Sequence, residues 1–372
     1  MNPHYDIRDT SSIFSPALLF YKELIRANIA RAVELVGDPE RLRPHVKTHK
    51  TPEIVRMALA AGIRKHKCAT IAEAEMLASC GVADVLIAYP LVGPNCGRLV
   101  RLARAYPHSH FAVLADHPAG IMALSQTLNA AGLEVDVLLD IDVGQHRTGV
   151  APGAEAVELY AMIHRSPGLR LGGLHVYDGH NHQESFVERQ SAVQAQLQPV
   201  FKLRENLLQK GLPVPRFVAG GTPTFPIHAR LDVAGLECSP GTMILHDHGY
   251  GSRFPDLAGF TPAALLLTRV VSRPTPTRLT LDLGYKAVSS DPPAGKRCLL
   301  LDVPDYQAMA QNEEHFVVET PVAERYRPGD AIFAIPTHIC PTVALHRQAY
   351  AIENGKVIGT WDITARDRLL SV

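Results

Sequence analysis

No stretch of this chain approaches the ~20 consecutive apolar residues that a membrane span requires, and its opening residues, MNPHYDIRDT, lack the apolar centre of a secretory leader. Both absences point to a cytoplasmic protein without a membrane partner. An excess of charge of one sign is missing as well. Lys+Arg and Asp+Glu stand at 37 each, so no overall field attracts nucleic acid or anionic lipid. The six cysteines (68, 80, 96, 238, 298 and 340) contain no CxxC spacing, which argues for reduced thiols rather than a disulfide frame. Repeats, low-complexity tracts and linkers are also absent. What is present is an ordinary globular composition, 46% hydrophobic and 20% charged, together with 18 histidines that recur in short clusters. Clusters at strand ends suggest proton transfer or metal binding. At 372 residues the chain exceeds the size at which one core usually stops growing, so a large barrel plus a smaller domain is expected.

From about residue 22 to 240, short β-rich runs alternate with longer helical patterns. The strand candidates are Leu42–Lys47, His66–Thr70, Asp84–Ala88, His110–Leu114, Val135–Asp140, Leu171–Tyr177, Arg216–Ala219 and Gly235–Cys238. Helical stretches such as Pro52–Ala61, Ile71–Cys80 and Glu184–Leu208 separate them. A series of eight β-then-α units is the pattern of an α/β fold of the (β/α)8 TIM-barrel type, with a doubly wound open sheet as the alternative. After Phe260 the texture becomes alternating runs between Pro/Gly turns, as in a mainly antiparallel β-domain. The strand-like Phe14–Tyr21 could join it. The expected division is a barrel over 22–258 and a β-domain formed by 1–21 plus 259–372.

Barrel chemistry gathers at the C-terminal strand ends, and the unusual residues fall there. Lys47, in Arg43-Pro-His-Val-Lys-Thr-His-Lys50, stands at the polar end of an apolar run. Desolvation there would lower its pKa and make it a nucleophilic amine; a solvated strand end is the plain alternative. Gly220-Gly221-Thr222 and Pro240-Gly241-Thr242 follow strands seven and eight, the usual barrel phosphate site. Arg147 ends strand five and would point at an oxyanion or pair with Asp140 or Asp142. His175 and Tyr177 share the inward face of strand six, with His182 in the loop beyond. His338-Ile-Cys340 offers imidazole and thiolate at i, i+2 of an extended segment, a donor set that suits zinc. Glu313-Glu314-His315 could supply further polar groups.

Together these motifs resemble the D-threonine aldolase and D-serine dehydratase family of alanine-racemase-like (fold-type III) pyridoxal-phosphate enzymes. The matching pieces are RPHVKTHK, CATIAEAE, DVLIAYPLVG, DIDVGQHRTGV, the two Gly-Thr turns, EEH and HICPT, which run in family order over nearly the whole chain. The resemblance implies that Lys47 binds pyridoxal 5'-phosphate covalently and that Gly221, Thr222, Gly241 and Thr242 grip its phosphate. It places Arg147 near the phenolate side and Tyr177 by the ring nitrogen, and it makes His338 and Cys340 the ligands of a divalent metal (Zn, Mn or Mg). The implied substrate is a small D-3-hydroxy amino acid and the implied assembly a homodimer. Aldolase-type cleavage, with His182 as the base, is the favoured expectation. Dehydratase-type elimination is the alternative, because the His-x-Cys pair leans that way. An amino-acid racemase, with Tyr250, Tyr285 or Tyr306 as second base, is more remote.

Overall fold

Two compact units make up the computed structural model, which describes residues 5–372. One contains Ala32–Lys47, Val55–Gly241 and Asp367–Val372. The other contains the described residues up to Arg31 with Thr48–Ile54 and Thr242–Arg366. Residues 1–4 of the expected β-domain lie outside the described residues.

In chain order the elements are β1 (Ala17–Tyr21), α1 (Lys22–Val36), α2 (Pro52–Ala60), β2 (Lys65–Cys68), α3 (Ile71–Ser79), β3 (Asp84–Pro90), α4 (Pro94–Ala105), β4 (His110–Ala115), α5 (Pro118–Ala130), β5 (Val135–Ile141), α6 (Ala154–Arg165), β6 (Leu169–Val176), α7 (Phe186–Gln209), β7 (Phe217–Ala219), α8 (Phe225–His228) and β8 (Leu236–Cys238). There follow α9 (His248–Arg253), β9 (Ala264–Thr275), β10 (Arg278–Leu281), β11 (Cys298–Leu300), β12 (Gln307–Gln311), β13 (Phe316–Glu319), β14 (Ala331–Pro336), α10 (Ile339–Leu345), β15 (Gln348–Glu353) and β16 (Lys356–Asp362).

In the first unit β2 to β8 form a seven-stranded, all-parallel sheet in chain order. The expected first strand, Leu42–Lys47, is not a regular strand. It makes only isolated parallel bridges, Leu42 to Cys238 on β8 and His45 to Lys67 on β2, yet these span the sheet's two edges and close the barrel. Pro44 has no N–H for a ladder, though its carbonyl accepts from Lys67 N at 2.9 Å, and Val46–Thr48 winds into a single 3-10 turn. Lys47 therefore stands on a turn. Side chains of alternate residues on neighbouring strands fill the sheet's apolar layer, among them Leu86, Ala112, Leu114, Leu138 and Val218. Strand-to-helix turns are set locally: Thr70 caps α3 by accepting from Glu73 N at 3.1 Å, and Glu73 reaches back to Ala69 N at 2.6 Å.

The second unit is built on a mainly antiparallel sheet of order β12-β13-β10-β9-β1-β15-β16, with β14 pairing β9 and β11; β1 and β15 are its parallel pair. Period-two alternation is visible in its core, where Ala17, Leu19, Tyr21, Leu265, Leu267, Phe333 and Ile335 pack together.

Candidate active site

At the C-terminal strand ends of the barrel unit lies a cavity of about 330 Å³. Lys47, Lys67, Arg147, His175 and Tyr177 are among its walls. Lys47 is half-buried, and its amine makes no hydrogen bond or ion pair among the described residues. Lys67, which belongs to none of the sequence motifs, shares the cavity with it. It is 1% exposed on β2, its Nζ bonds Ser239 Oγ, and Ser239 Oγ in turn donates to Gly220 O at 3.1 Å. Burial, reinforced by the positive charge of Lys47, pulls the Lys67 amine down to about 7. The only signal for it in the sequence is period two along Lys65-His66-Lys67, which gives adjacent residues opposite faces.

Behind two of the lining residues, His175 and Thr148, lies Asp140. Its Oδ1 lies 2.7 Å from His175 Nδ1, and its Oδ2 accepts from Thr148 Oγ1 at 2.8 Å. Burial would raise the Asp140 carboxyl, but the His175 hydrogen bond holds it below the usual range. An ionised acceptor requires the His175 proton on Nδ1, while burial keeps the imidazole neutral. His175 Nε2 is then a buried acceptor, and it has no hydrogen-bond partner among the described residues. Arg147 pairs with neither Asp140 nor Asp142; Asp142 is taken by His146 Nδ1 at 2.8 Å. The Arg147 guanidinium instead lies 5.1 Å from the Tyr177 ring centroid, and Lys67 Nζ lies 5.7 Å from it. A Cβ on Gly179 would overlap the Tyr177 hydroxyl, so the side chain's path requires glycine there.

The two glycine turns are tied to each other: Gly241 N donates to Thr222 Oγ1 at 3.2 Å, which leaves the Thr222 hydroxyl proton available to an anion. Gly221 N donates to Thr224 Oγ1 at 3.1 Å, and behind it Thr224 donates to Asp178, whose other oxygen is 2.8 Å from His228 Nε2. Gly220 takes φ +84°, a left-handed conformation that favours glycine. His182 is exposed in the loop after β6 and is not among the cavity walls.

The remaining predicted residues belong to the β-sheet unit. His338 and Cys340 do not lie on an extended segment as the spacing suggested. His338 is the extended N-cap of α10, and Cys340 is the helix's second residue. Cys340 Sγ is 3.2 Å from Thr48 Oγ1 and 3.4 Å from Thr242 Oγ1, so the Thr242 hydroxyl is engaged with this sulfur. Burial opposes ionisation of the thiol, yet hydrogen bonds from His338, Thr242 and Thr48 hold it below its ordinary value. Burial likewise opposes the imidazolium, but Cys340 and Asp291 raise His338 to about 9. Asp291 and the buried Asp247 were not anticipated. Glu313 and Glu314 are exposed and pair with Lys286 at 2.7 and 3.2 Å; His315 is exposed beside them. Among the described residues, no group of three or more His, Cys, Asp or Glu is placed to hold a metal ion. No described helix is long and apolar enough to cross a membrane.

The alanine racemase N-terminal domain model matches residues 22–247, and a serine dehydratase domain model matches residues 263–352. The D-threonine aldolase of Arthrobacter sp is 30% identical over 363 residues, which cover 95% of this chain and 92% of that protein. The D-threo-3-hydroxyaspartate dehydratase of Delftia sp. (strain HT23) is 26% identical, covering 94% and 96%. The solved structure of D-threonine aldolase from Filomicrobium marinum has a TM-score of 0.88 at 28% identity, covering 95% of this chain and 96% of that one.

Proposed function

The chain belongs to the family of alanine-racemase-like lyases that includes D-threonine aldolase and D-serine dehydratase, and from that premise we propose that it uses pyridoxal 5'-phosphate and a divalent metal to cleave the Cα–Cβ bond of D-3-hydroxy amino acids, giving glycine and an aldehyde. The observation that carries this reading is the cationic cavity at the barrel mouth. Lys47, Lys67 and Arg147 share it, the buried Asp140 carboxylate behind His175 and Thr148 is already engaged by those two residues, and His175 presents an unpartnered acceptor. That is the donor set for a phosphorylated aromatic aldehyde, and the cavity volume suits a small ligand.

Bound pyridoxal phosphate would supply the electron sink and the metal Lewis acidity at the substrate hydroxyl. Lys47 provides the amine that anchors the cofactor. Thr222, with the turns at Gly221 and Gly241, would hold the phosphate, and Arg147 and Tyr177, which stack on each other, would border the ring. His182, exposed in the loop after β6, would take the hydroxyl proton. Thr242, at the same turn as Gly241, would grip the phosphate through its backbone while its hydroxyl contacts the Cys340 sulfur. Imidazole and thiolate from His338 and Cys340 suit zinc, and a two-residue donor set leaves positions for water and a substrate oxygen.

The thiolate donor is also what favours the second reading, elimination to a 2-oxo acid and ammonia. Incubation of the purified protein with pyridoxal phosphate, a divalent metal and D-threonine separates the two. Acetaldehyde plus glycine is the expected result; 2-oxobutyrate would instead establish the dehydratase. Activity insensitive to chelators would sink both. A homodimer in the cytoplasm is the expected setting.

A further inference from the structure

His338 is oriented by a residue that lies 47 positions away in sequence and outside every motif. Asp291 Oδ2 stands 2.5 Å from His338 Nδ1, so this ring nitrogen is occupied and Nε2 is the one left for a ligand. Asp291 is itself fixed. The Ser289 hydroxyl bonds its Oδ1, Ser289 N donates to Thr342 Oγ1 at 3.1 Å, and the Thr342 hydroxyl donates to His338 O at 2.8 Å. The result is a closed ring of hydrogen bonds from the histidine backbone to its own imidazole. Asp247 steadies the same turn from the other side: one oxygen accepts from Ile339 N at 3.1 Å and the other from Tyr250 N at 2.9 Å. These contacts all lie within the β-sheet unit.

We propose that Asp291 is a positioning residue of the metal site: it accepts the Nδ1 proton of His338, fixing the tautomer and ring plane that present Nε2 beside the Cys340 sulfur. A carboxylate behind a ligating imidazole both orients it and raises its basicity. With only two protein ligands, each ligand's orientation matters more, because no third side chain compensates a misaligned ring. The inference rests on the reading of His338 and Cys340 as metal ligands, and the test keeps the two separable.

Full-length protein loaded with pyridoxal phosphate and stripped of divalent metal is titrated calorimetrically with Zn²⁺ alone, as parent, D291N, D291E and H338A. D291N should raise the Kd about 10–100-fold, D291E should recover most of the affinity, and the melting temperature of metal-free D291N should match the parent. Parent-like Kd in D291N, with binding lost in H338A, overturns the role of Asp291 while leaving the metal pair intact. A fall in affinity matched by a lower metal-free melting temperature also overturns it, since that is loss of structure. Undiminished binding in H338A removes the metal pair and the inference together.

Discussion

Arg43 and Lys67 are both buried cations of the barrel unit, and they are kept in opposite company. Arg43 is 0% exposed near the N-terminal strand ends, with Nε on Glu237 at 2.5 Å and its two terminal nitrogens on Asp84 at 2.8 and 2.9 Å. Around it the first residues of successive strands interlock: Lys65 with Glu237 at 3.2 Å, Arg216 with Asp136, Arg170 with Asp136 at 2.9 Å, and His110 with Asp136 at 3.2 Å. Burial would raise the Asp84 carboxyl, but Arg43 holds it below its usual range. Lys67, at the other end, has a serine hydroxyl for a partner and Lys47 for a neighbour. One end is neutralised by its own side chains. The other gives Lys67 no direct carboxylate partner, only the more distant charges of Asp140 and Asp178, an arrangement that costs stability and fits the proposed anionic ligand. The motif Arg43–Lys50 contributes to both: its first residue locks the floor and its fifth, Lys47, reaches the mouth.

The comparison can be broken most decisively at Lys47. Lys47→Ala should abolish both lyase turnover and the visible absorbance that pyridoxal phosphate acquires on binding; a spectrum that survives unchanged means that Lys47 is not the anchor. Next in size is Arg43→Met, which leaves Asp84 and Glu237 without their shared cation and should cost about 3–5 kcal/mol of stability by urea unfolding. Its cofactor spectrum should be that of the parent, and a bleached spectrum would show that the two ends are not independent.

Lys67→Met tests the mouth itself. The folded amine titrates near 7, below the ordinary value of 10.5. Between those values the unfolded chain holds a proton that the folded chain lacks, so stability rises with pH across that window. The cost of Lys67 is therefore full below pH 7 and relieved above it. Replacing it should stabilise the metal- and cofactor-free protein by on the order of 2 kcal/mol at about pH 6, with the gain shrinking by about pH 9. Equal gains at both pH values would contradict an uncompensated buried cation. The smallest effect belongs to the solvated rim of the floor: Arg170→Ala, at a side chain 47% exposed, should cost less than about 1 kcal/mol because water screens its pairs with Asp136 and Glu134. A larger loss would mean that the rim belongs to the buried network.

Much of this was legible in the chain. Helices such as Ala154–Arg165 and strands such as Phe316–Glu319 fall where periodicity places them, because apolar spacing and caps are local properties. The hairpin of β15 and β16 was missed although its signal was present. Asn354-Gly355 takes φ 51° and 68°, the pair of positive values that a tight hairpin turn requires. The strand expected at Leu42–Lys47 failed because Pro44 removes a donor and the next residues turn. His338-Ile-Cys340 reads as extended in the sequence yet opens a helix, because a helix of seven residues is too short for period 3.6 to show.

The sequence by itself determined the order of β-then-α units, the antiparallel region after them, and the identity of the chemistry-bearing motifs, since each depends on residues close together in the chain. The company those motifs keep was decided only by the tertiary structure. Asp291 reaches His338, Ser239 reaches Lys67 and Glu237 reaches Arg43 across separations of 47, 172 and 194 residues. Which cation is paired with a carboxylate and which is not depends on distance and burial, and neither is a local property of the chain.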